Sequence, residues 1–466
     1  MRKSFTESTV LFLSIVRWLV LSTIAGVLVG GAVAVFLKLL NWSIGLSSQS
    51  TGYFWFLPIS LFVSSLLTKY LAPEAEGHGT EKVIEAVHKR AGRIPAAVIP
   101  VKLLATIITL ATGGSAGKEG PCAQIGAGLT SLFSDILKFD EHDRKKMVIC
   151  GISAGFACVF GTPIAGSIFG VEVLFVGAMM YDVLLPSFVA GITAFQVSST
   201  LGITYFRHPV SVVPVFSEAF LIKVILAGLF FGVCSILMIE LLRWGGKLSD
   251  RIRLWPPLKG VIGGTALAVL ALIFSTRYLG LGLETIETCL KGGDTQWYAF
   301  LLKPAFTSIT LSFGGSGGIV TPLFFTGATA GVAFAHVMNL NAATFAAIGL
   351  VSVLSGSANT PIAASIMAVE LFGPELATYA ALSCVISFLI TGHRSVYSSQ
   401  VLSVSKSPSL QVELGNEIED IQTTLNLREK GFIARVFRLL KRVEDTLDKI
   451  QRGNASAGNG GEDAQK

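Results

Sequence analysis

The chain has 466 residues, of which 52% are hydrophobic and only 14% are charged, and its mean hydropathy is +0.66. An ordinary soluble domain has about 25% charged residues. This composition excludes a soluble globular protein and indicates a chain that crosses a bilayer many times. The net charge of +6 indicates contact with anionic lipid headgroups rather than with nucleic acid.

The apolar pattern begins close to the N-terminus. Residues 19–40 predict a first membrane span, and residues 1–18 predict a short flanking helix. Arg2 and Lys3 precede an apolar stretch that is too long for a secretory signal and lacks a clear cleavage site. Apolar stretches then recur up to Val401, several of them shorter than the roughly 20 residues of a simple span. Frequent Gly and Pro residues between them predict broken and tilted helices.

Two motifs of the first half recur in the second half. Residues 113–121 match residues 314–322 at an offset of 201, and residues 162–168 match residues 360–366 at an offset of 198. Two ordered matches at nearly one offset predict an internal repeat. Many transporters consist of two such halves, with the substrate site where discontinuous helices from both halves meet.

The repeat and the remaining composition divide the chain into segments. The basic residues of the tail favour cytoplasmic N- and C-termini for a multi-pass protein of the cell membrane. Apolar positions of the tail recur every three or four residues and predict an amphipathic helix. The segments are a flanking helix (1–18), a first membrane repeat (19–204), an inter-repeat connection (205–216), a second membrane repeat (217–402), a cytoplasmic tail with the amphipathic helix (403–452) and a disordered tail (453–466).

Three Gly-rich motifs predict helix N-termini that bind an anion. They lie at residues 77–80, 117–121 and 317–322, each directly before a helical pattern. Moving a small anion into the bilayer removes hydration worth on the order of 20 kcal/mol in the Born limit. Backbone N–H groups and the partial positive charge of a helix N-terminus can replace that water without binding the ion too tightly to release it.

Glu119 is the principal candidate for a functional side chain. It is a carboxylate in an apolar stretch, and such residues are functional candidates by default. At a helix N-terminus its carboxylate can occupy an anion position and leave that position when it is protonated or displaced, which makes it a gate. The alternative is an ordinary capping carboxylate that stabilises its helix by about 0.3–1 kcal/mol.

Other functional classes lack their motifs. A phosphate-binding loop at residues 113–118 is excluded because Thr112 stands at its first Gly position and Glu119 at its Ser or Thr position. The absence of a Walker sequence also argues against a nucleotide-driven pump. The six histidines form no HExxH motif, so an intramembrane enzyme stays a remote alternative, and no cofactor or metal is expected.

The motifs together resemble the CLC family of chloride channels and chloride/proton exchangers. Residues 117–121, Gly-Lys-Glu-Gly-Pro, are similar to its GREGP or GKEGP signature. Residues 77–79 stand where the family has GSGIP, residues 318–322 where it has GxFxP, and Tyr397 where it has a pore tyrosine. The resemblance implies an all-α membrane fold of about eighteen helices in two inverted repeats, a homodimer, and chloride transport.

The resemblance also assigns roles to individual residues. Glu119 corresponds to the gating glutamate, Tyr397 to a phenol that donates to the bound ion, and Ile319 and Val320 to backbone N–H donors. The anion-binding set that it implies is His78, Gly79, Lys118, Glu119, Gly120, Ile319, Val320 and Tyr397.

Two departures from the family pattern bear on function. His78 replaces the central serine, which raises the hypothesis of pH-dependent anion occupancy; the alternative is a loop histidine that faces the cytoplasm. Val173 stands where family exchangers carry an inner proton-transfer glutamate. Val173 and Lys118 favour passive, channel-like chloride flow, and proton-coupled exchange is the alternative. A shift of the alignment by one residue would give the inner proton-transfer role to Glu172; otherwise Glu172 and its repeat mate Glu370 are expected to bond to neighbouring helix ends.

Overall fold

The computed structural model describes residues 2–205 and 217–425, which fold almost entirely into α-helices. Most of the predicted inter-repeat connection, the predicted amphipathic helix and the predicted disordered tail lie outside the described residues. The helices are α1 (Arg2–Ser47), α2 (Leu57–Leu71), α3 (Thr80–Lys89), α4 (Val98–Ala111), α5 (Glu119–Ile136), α6 (Glu141–Phe160), α7 (Pro163–Glu172), α8 (Tyr181–Thr200), α9 (Glu218–Arg251), α10 (Pro256–Ile273), α11 (Leu283–Leu290), α12 (Ala299–Ser312), α13 (Val320–Val337), α14 (Ala342–Ala358), α15 (Pro361–Phe372) and α16 (Ala377–Thr391).

The helix lengths agree with a membrane protein built from long and broken helices. Within the described residues, seven helical spans are long and apolar enough to cross a bilayer: α1, α8, α9, α10, α13, and α2 and α16 each taken together with the short 3₁₀ turn before it (Tyr53–Phe56 and Pro374–Leu376). Others are far too short, and α3 and α7 have ten residues each. The predicted flanking helix and first span form one element, because α1 continues without a break from Arg2 to Ser47.

The packing repeats once along the chain. In the first half α1 packs against α6 and α8, and in the second half α9 packs against α14 and α16 in the same way. The pairs α5 with α6 and α13 with α14 correspond as well. The two halves are joined by contacts of α2 with α10 and of α7 with α15. In each pair, the two helices occupy equivalent positions in the repeat.

Hydrogen bonds between the halves are reciprocal. The backbone N–H of Ser115 donates to Thr310 Oγ1 at 2.9 Å, and the backbone N–H of Ser316 donates to Thr109 Oγ1 at 3.1 Å. Both residues of one bond lie 201 positions from their counterparts in the other. Such self-complementary contacts are the mark of a twofold relation.

Glu172 and Glu370 follow the same twofold relation: each caps the start of a helix in the other half, as expected from the sequence. The Glu172 carboxylate accepts from the N–H groups of Ile362 and Ala363 at 3.0 and 2.8 Å, at the start of α15. The Glu370 carboxylate accepts from Ile164 and Ala165 at 3.1 and 2.8 Å, at the start of α7. Each carboxylate therefore satisfies two N–H groups that a helix cannot pair internally.

The chain after α16 returns to the helical body. Strand β1 (Phe175–Val176) pairs in parallel with β2 (Val401–Leu402), and β3 (Leu410–Gln411) pairs antiparallel with β4 (Thr424–Leu425). Val176, Leu402 and Ile418 form a small apolar cluster beneath these strands. The segment that carries Tyr397 is consequently fixed at both ends.

We expect Glu370→Ala to destabilise the protein, because it leaves two N–H groups at the start of α7 without their cap. The expected loss is about 0.5–2 kcal/mol of unfolding free energy, measured as a lower thermal midpoint in detergent. Glu172→Ala should lower the midpoint similarly, since its contacts are equivalent. Glu375→Ala, which alters a carboxylate outside both caps, is the control. A Glu370→Ala midpoint equal to that of the control would contradict the capping role.

Candidate ion pathway

Glu119 is the first residue of α5, and its side chain is buried, with 1% of its surface exposed. The backbone N–H of Thr321 donates to Glu119 Oε2 at 3.2 Å, and the Thr321 hydroxyl donates to Oε1. Thr321 lies in the first turn of α13. The carboxylate from one half therefore occupies an anion position at a helix N-terminus of the other half.

Glycines allow the two half-helices to approach so closely. Gly117 and Gly318 exchange backbone hydrogen bonds of 2.6 Å in both directions. A Cβ atom at Gly117 would lie 2.1 Å from Glu119 Oε2, and one at Gly120 would lie 2.0 Å from the His78 carbonyl oxygen. Any side chain at either position would displace the Glu119 carboxylate or the loop beside it.

A second polar cluster combines His78 and Thr80 with Tyr397. The rings of His78 and Tyr397 are 5.7 Å apart between centroids, and Tyr397 is fully buried. Within the described chain, His78 Nδ1, Thr80 Oγ1 and Tyr397 Oη are buried and make no well-formed hydrogen bond, although the Thr80 and Tyr397 hydroxyls are neighbours. Buried donors without partners call for an explanation, and an anion is a ligand that satisfies them.

The charges around His78 bear on the pH hypothesis. The His78 residue is partly exposed although its Nδ1 atom is buried, and the ammonium groups of Lys82 and Lys102 act on its ring electrostatically. Two neighbouring cations disfavour a third positive charge. A neutral imidazole still donates one N–H, so His78 can replace a serine hydroxyl as a neutral donor.

The remaining predicted residues lie around these two clusters. Gly79 precedes α3 with φ of +76°, a conformation that favours glycine. Ile319 precedes α13 and Val320 begins it, so their N–H groups are among those that lack intrahelical partners. Lys118 lines, together with Glu119, a cavity of about 380 Å³. We call this cavity the outer vestibule; Thr321 and Phe324 also line it.

Val173 directly follows Glu172, the last residue of α7. Its side chain is fully buried, and its carbonyl oxygen accepts from Gln400 Nε2 at 2.8 Å. Gln400 Nε2 also donates to the Ala358 carbonyl oxygen at 2.8 Å, and Gln400 Oε1 accepts from Ser395 Oγ at 2.6 Å. The segment that carries Tyr397 is thereby tied to the ends of α7 and α14.

Lys102 is a further residue of the site that the sequence analysis did not single out. Its buried ammonium group donates to the carbonyl oxygens of Ala75 and Gly77 at 3.1 and 2.6 Å, and so holds the loop that ends in His78. Its repeat mate Lys303 makes the equivalent pair of bonds in the second half, also at 3.1 and 2.6 Å. The two lysines are 201 residues apart, so the repeat offset was a signal that could have revealed them.

The comparisons agree with this geometry. Residues 59–392 match the family model described as voltage gated chloride channel, which covers more than half of the chain. The chain belongs to the CLC family. It is therefore a polytopic membrane protein of a family that transports anions, and the inverted-repeat fold expected from the sequence is confirmed.

Relatives and solved structures extend the comparison. A chloride/fluoride channel protein of Pseudomonas syringae pv. tomato is 35% identical over 84% of this chain and 88% of its own length. A voltage-gated ClC-type chloride channel, ClcB, of Shigella flexneri is 28% identical over 66% of this chain and 76% of its own. The crystal structure of a CLC-type fluoride/proton antiporter is 29% identical, with a TM-score of 0.80 over 84% of this chain and 99% of that one. A slow cyanobacterial Cl⁻/H⁺ antiporter shares the fold at 19% identity and a TM-score of 0.72.

We expect Lys102→Met to weaken anion binding, because the loop before α3 loses two hydrogen bonds to a charged group. Such bonds contribute about 1.5–3 kcal/mol each, so the dissociation constant should rise about tenfold or more. Titration calorimetry with chloride in detergent measures this. Lys303→Met breaks the same pair of bonds in the other half and is the matched control. Equal binding by both variants would show that Lys102 has no specific connection to the site.

Proposed function

We propose that this chain moves chloride across the cell membrane, with the Glu119 side chain as the gate. The main support for this proposal is the position of the Glu119 carboxylate. It faces the outer vestibule and accepts hydrogen bonds from the backbone N–H and the hydroxyl of Thr321. An anion that arrives at the start of α13 competes for those donors. Displacement or protonation of the carboxylate frees the position, whereas its return closes it.

The proposed pathway joins two positions. The inner one lies at His78, Thr80 and Tyr397, where buried donors converge, and the outer one is held by Glu119 in this structure. Lys102, the buried cation next to the inner position, directs its ammonium group to the loop carbonyls. Neutral donors give binding that is strong enough for entry and weak enough for exit.

Passive flow and proton-coupled exchange are both forms of this proposal, and different observations support each. The buried Val173 supports passive flow, because an apolar side chain cannot carry a proton inward of the gate. Resemblance to the fluoride/proton antiporter, at 29% identity, supports exchange. We take passive flow as the first candidate and exchange as the second.

We also propose that two copies form a homodimer with one pathway each. The short helices α7 and α15 pack side by side and present Ile164 and Ile362, which are 36% and 51% exposed. Apolar side chains beside each other on a face can pack against a second copy or against lipid. We place the N- and C-termini in the cytoplasm, since the basic tail favours that side.

The first test uses Glu119→Ala in liposomes that hold a chloride gradient. Chloride efflux and proton uptake are recorded together for the native protein and the variant. We expect efflux to persist in the variant and to lose its dependence on pH, because no carboxylate remains to close the outer position. Glu141→Ala, which removes an exposed carboxylate at the first position of α6, is the matched control.

The native protein distinguishes the two forms of the proposal in the same experiment. Chloride efflux without uphill proton movement supports passive flow. Proton uptake in fixed proportion to chloride efflux, abolished in Glu119→Ala, supports exchange. Identical efflux and pH dependence in Glu119→Ala and the native protein would reject Glu119 as the gate.

Anion selectivity tests the role of His78. The related Pseudomonas protein is named for chloride and fluoride, so both ions are measured, along with bromide and nitrate. We expect His78→Ser to change the ratio of chloride to fluoride flux, since a small hydroxyl replaces a bulky ring beside Tyr397. His88→Ser, which alters a histidine farther along α3, is the control. An unchanged ratio would place His78 outside the selective position.

A further inference from the structure

Glu81 belongs to the first turn of α3, directly after Thr80. Its Oε1 atom accepts three hydrogen bonds from the segment that follows Tyr397: from Ser398 Oγ at 2.8 Å, from Ser399 N at 2.8 Å and from Ser399 Oγ at 2.6 Å. This oxygen connects α3 to the loop that carries the pore tyrosine. The other oxygen has a different environment.

Glu81 Oε2 is buried and, among the described residues, has no hydrogen-bond partner. An ionised carboxylate offers about four acceptor positions, and a buried oxygen without a donor is costly in that state. We call the three hydrogen bonds between Oε1 and the loop the clip. The clip needs only Oε1. A proton on Oε2 removes the charge while Oε1 keeps its three donors.

The charged and titratable groups near Glu81 come from several elements. Lys82, the next residue of α3, forms an ion pair with Glu85 at 3.2 Å. Tyr397, on the loop after α16, interacts electrostatically with Glu81 and with Glu119. Lys82 also acts electrostatically on His78 of the preceding loop, as does Lys102 of α4. The phenol of Tyr397 is therefore close enough to interact electrostatically with both carboxylates, Glu81 and Glu119.

Helix α3 connects Glu81 with the side of the protein on which the tail lies. The far end of the helix reaches the surface, where Lys89 pairs with Glu417 of the tail at 2.9 Å. Lys89 lies eight positions after Glu81 in the helix, a rise of about 12 Å. Although Oε2 itself is buried, the Glu81 residue is partly exposed. Oε2 is covered in this structure, so solvent on the tail side exchanges protons with it only when the side chains around it move.

We propose that Glu81 is the inner proton-transfer group of this chain, in place of a carboxylate at Val173. The proposal rests on the exchange form of the proposed function. A hydronium ion from the inner side transfers its proton to Oε2 and becomes water, and Glu81 becomes a neutral acid. Water molecules beside Tyr397 then relay the proton to Glu119, so that Glu81 returns to carboxylate and Glu119 becomes neutral and releases the outer position.

The decisive variant is Glu81→Gln in the reconstituted full chain. The amide oxygen can accept the three donors of Ser398 and Ser399, whereas the amide nitrogen cannot carry a proton as a carboxylate does. We expect chloride efflux to continue while proton uptake falls to that of protein-free liposomes. Glu85→Gln, one turn further along α3, should retain the native proton-to-chloride ratio.

A second variant separates proton transfer from the clip. Ser398→Ala with Ser399→Ala removes the hydroxyl donors and leaves the carboxylate, so proton uptake should stay proportional to chloride efflux. A native ratio in Glu81→Gln would overturn the proposal and leave exchange intact. Chloride efflux without proton uptake in the native protein would overturn both exchange and this role, while conduction gated by Glu119 would stand.

Discussion

The reciprocal backbone bonds between Gly117 and Gly318 are the contact on which the arrangement of the pathway depends. They bring the starts of α5 and α13 together, although the two helices belong to different halves. Glu119 can reach the donors of Thr321 only because neither glycine has a side chain in the way. The pair thus converts two helix ends, each with unpaired N–H groups, into one anion position away from bulk water.

The structural contacts follow the twofold repeat, whereas the Glu119 carboxylate departs from it. Lys102 and Lys303 make the same bonds, and Glu172 and Glu370 exchange the same caps. Glu119 has no such counterpart: the residue 201 positions after it is Val320. One half contributes the carboxylate and the other half contributes the Thr321 donors that bind it, so a single unsymmetrical contact arises in a symmetric frame.

The sequence predicted those features that local motifs or the repeat encode. The glycine motifs located three helix starts at α3, α5 and α13, and Glu119 followed from its place in one of them. Thr321 was missed because its donation depends on how the two halves meet. Gln400 was missed for the same reason: its partners, such as the Val173 carbonyl, lie far away in the chain. The sequence analysis placed a boundary between a flanking helix and the first span, but no Pro or Gly lies at that boundary. Helix α1 therefore continues through it.

The surroundings of position 173 explain why a valine there leaves the question of coupling open. The Val173 carbonyl oxygen anchors Gln400, and its side chain fills the core where α7 ends. Through this hydrogen bond, residue 173 holds the segment that carries Tyr397. Another place for a carboxylate that exchanges protons with solvent is an element that runs from the neighbourhood of Tyr397 to the protein surface. Helix α3 is such an element, and it carries Glu81 at its pore end and Lys89 beside the tail. Loss of a carboxylate at one position therefore does not by itself remove a route for protons, since a neighbouring element can provide one.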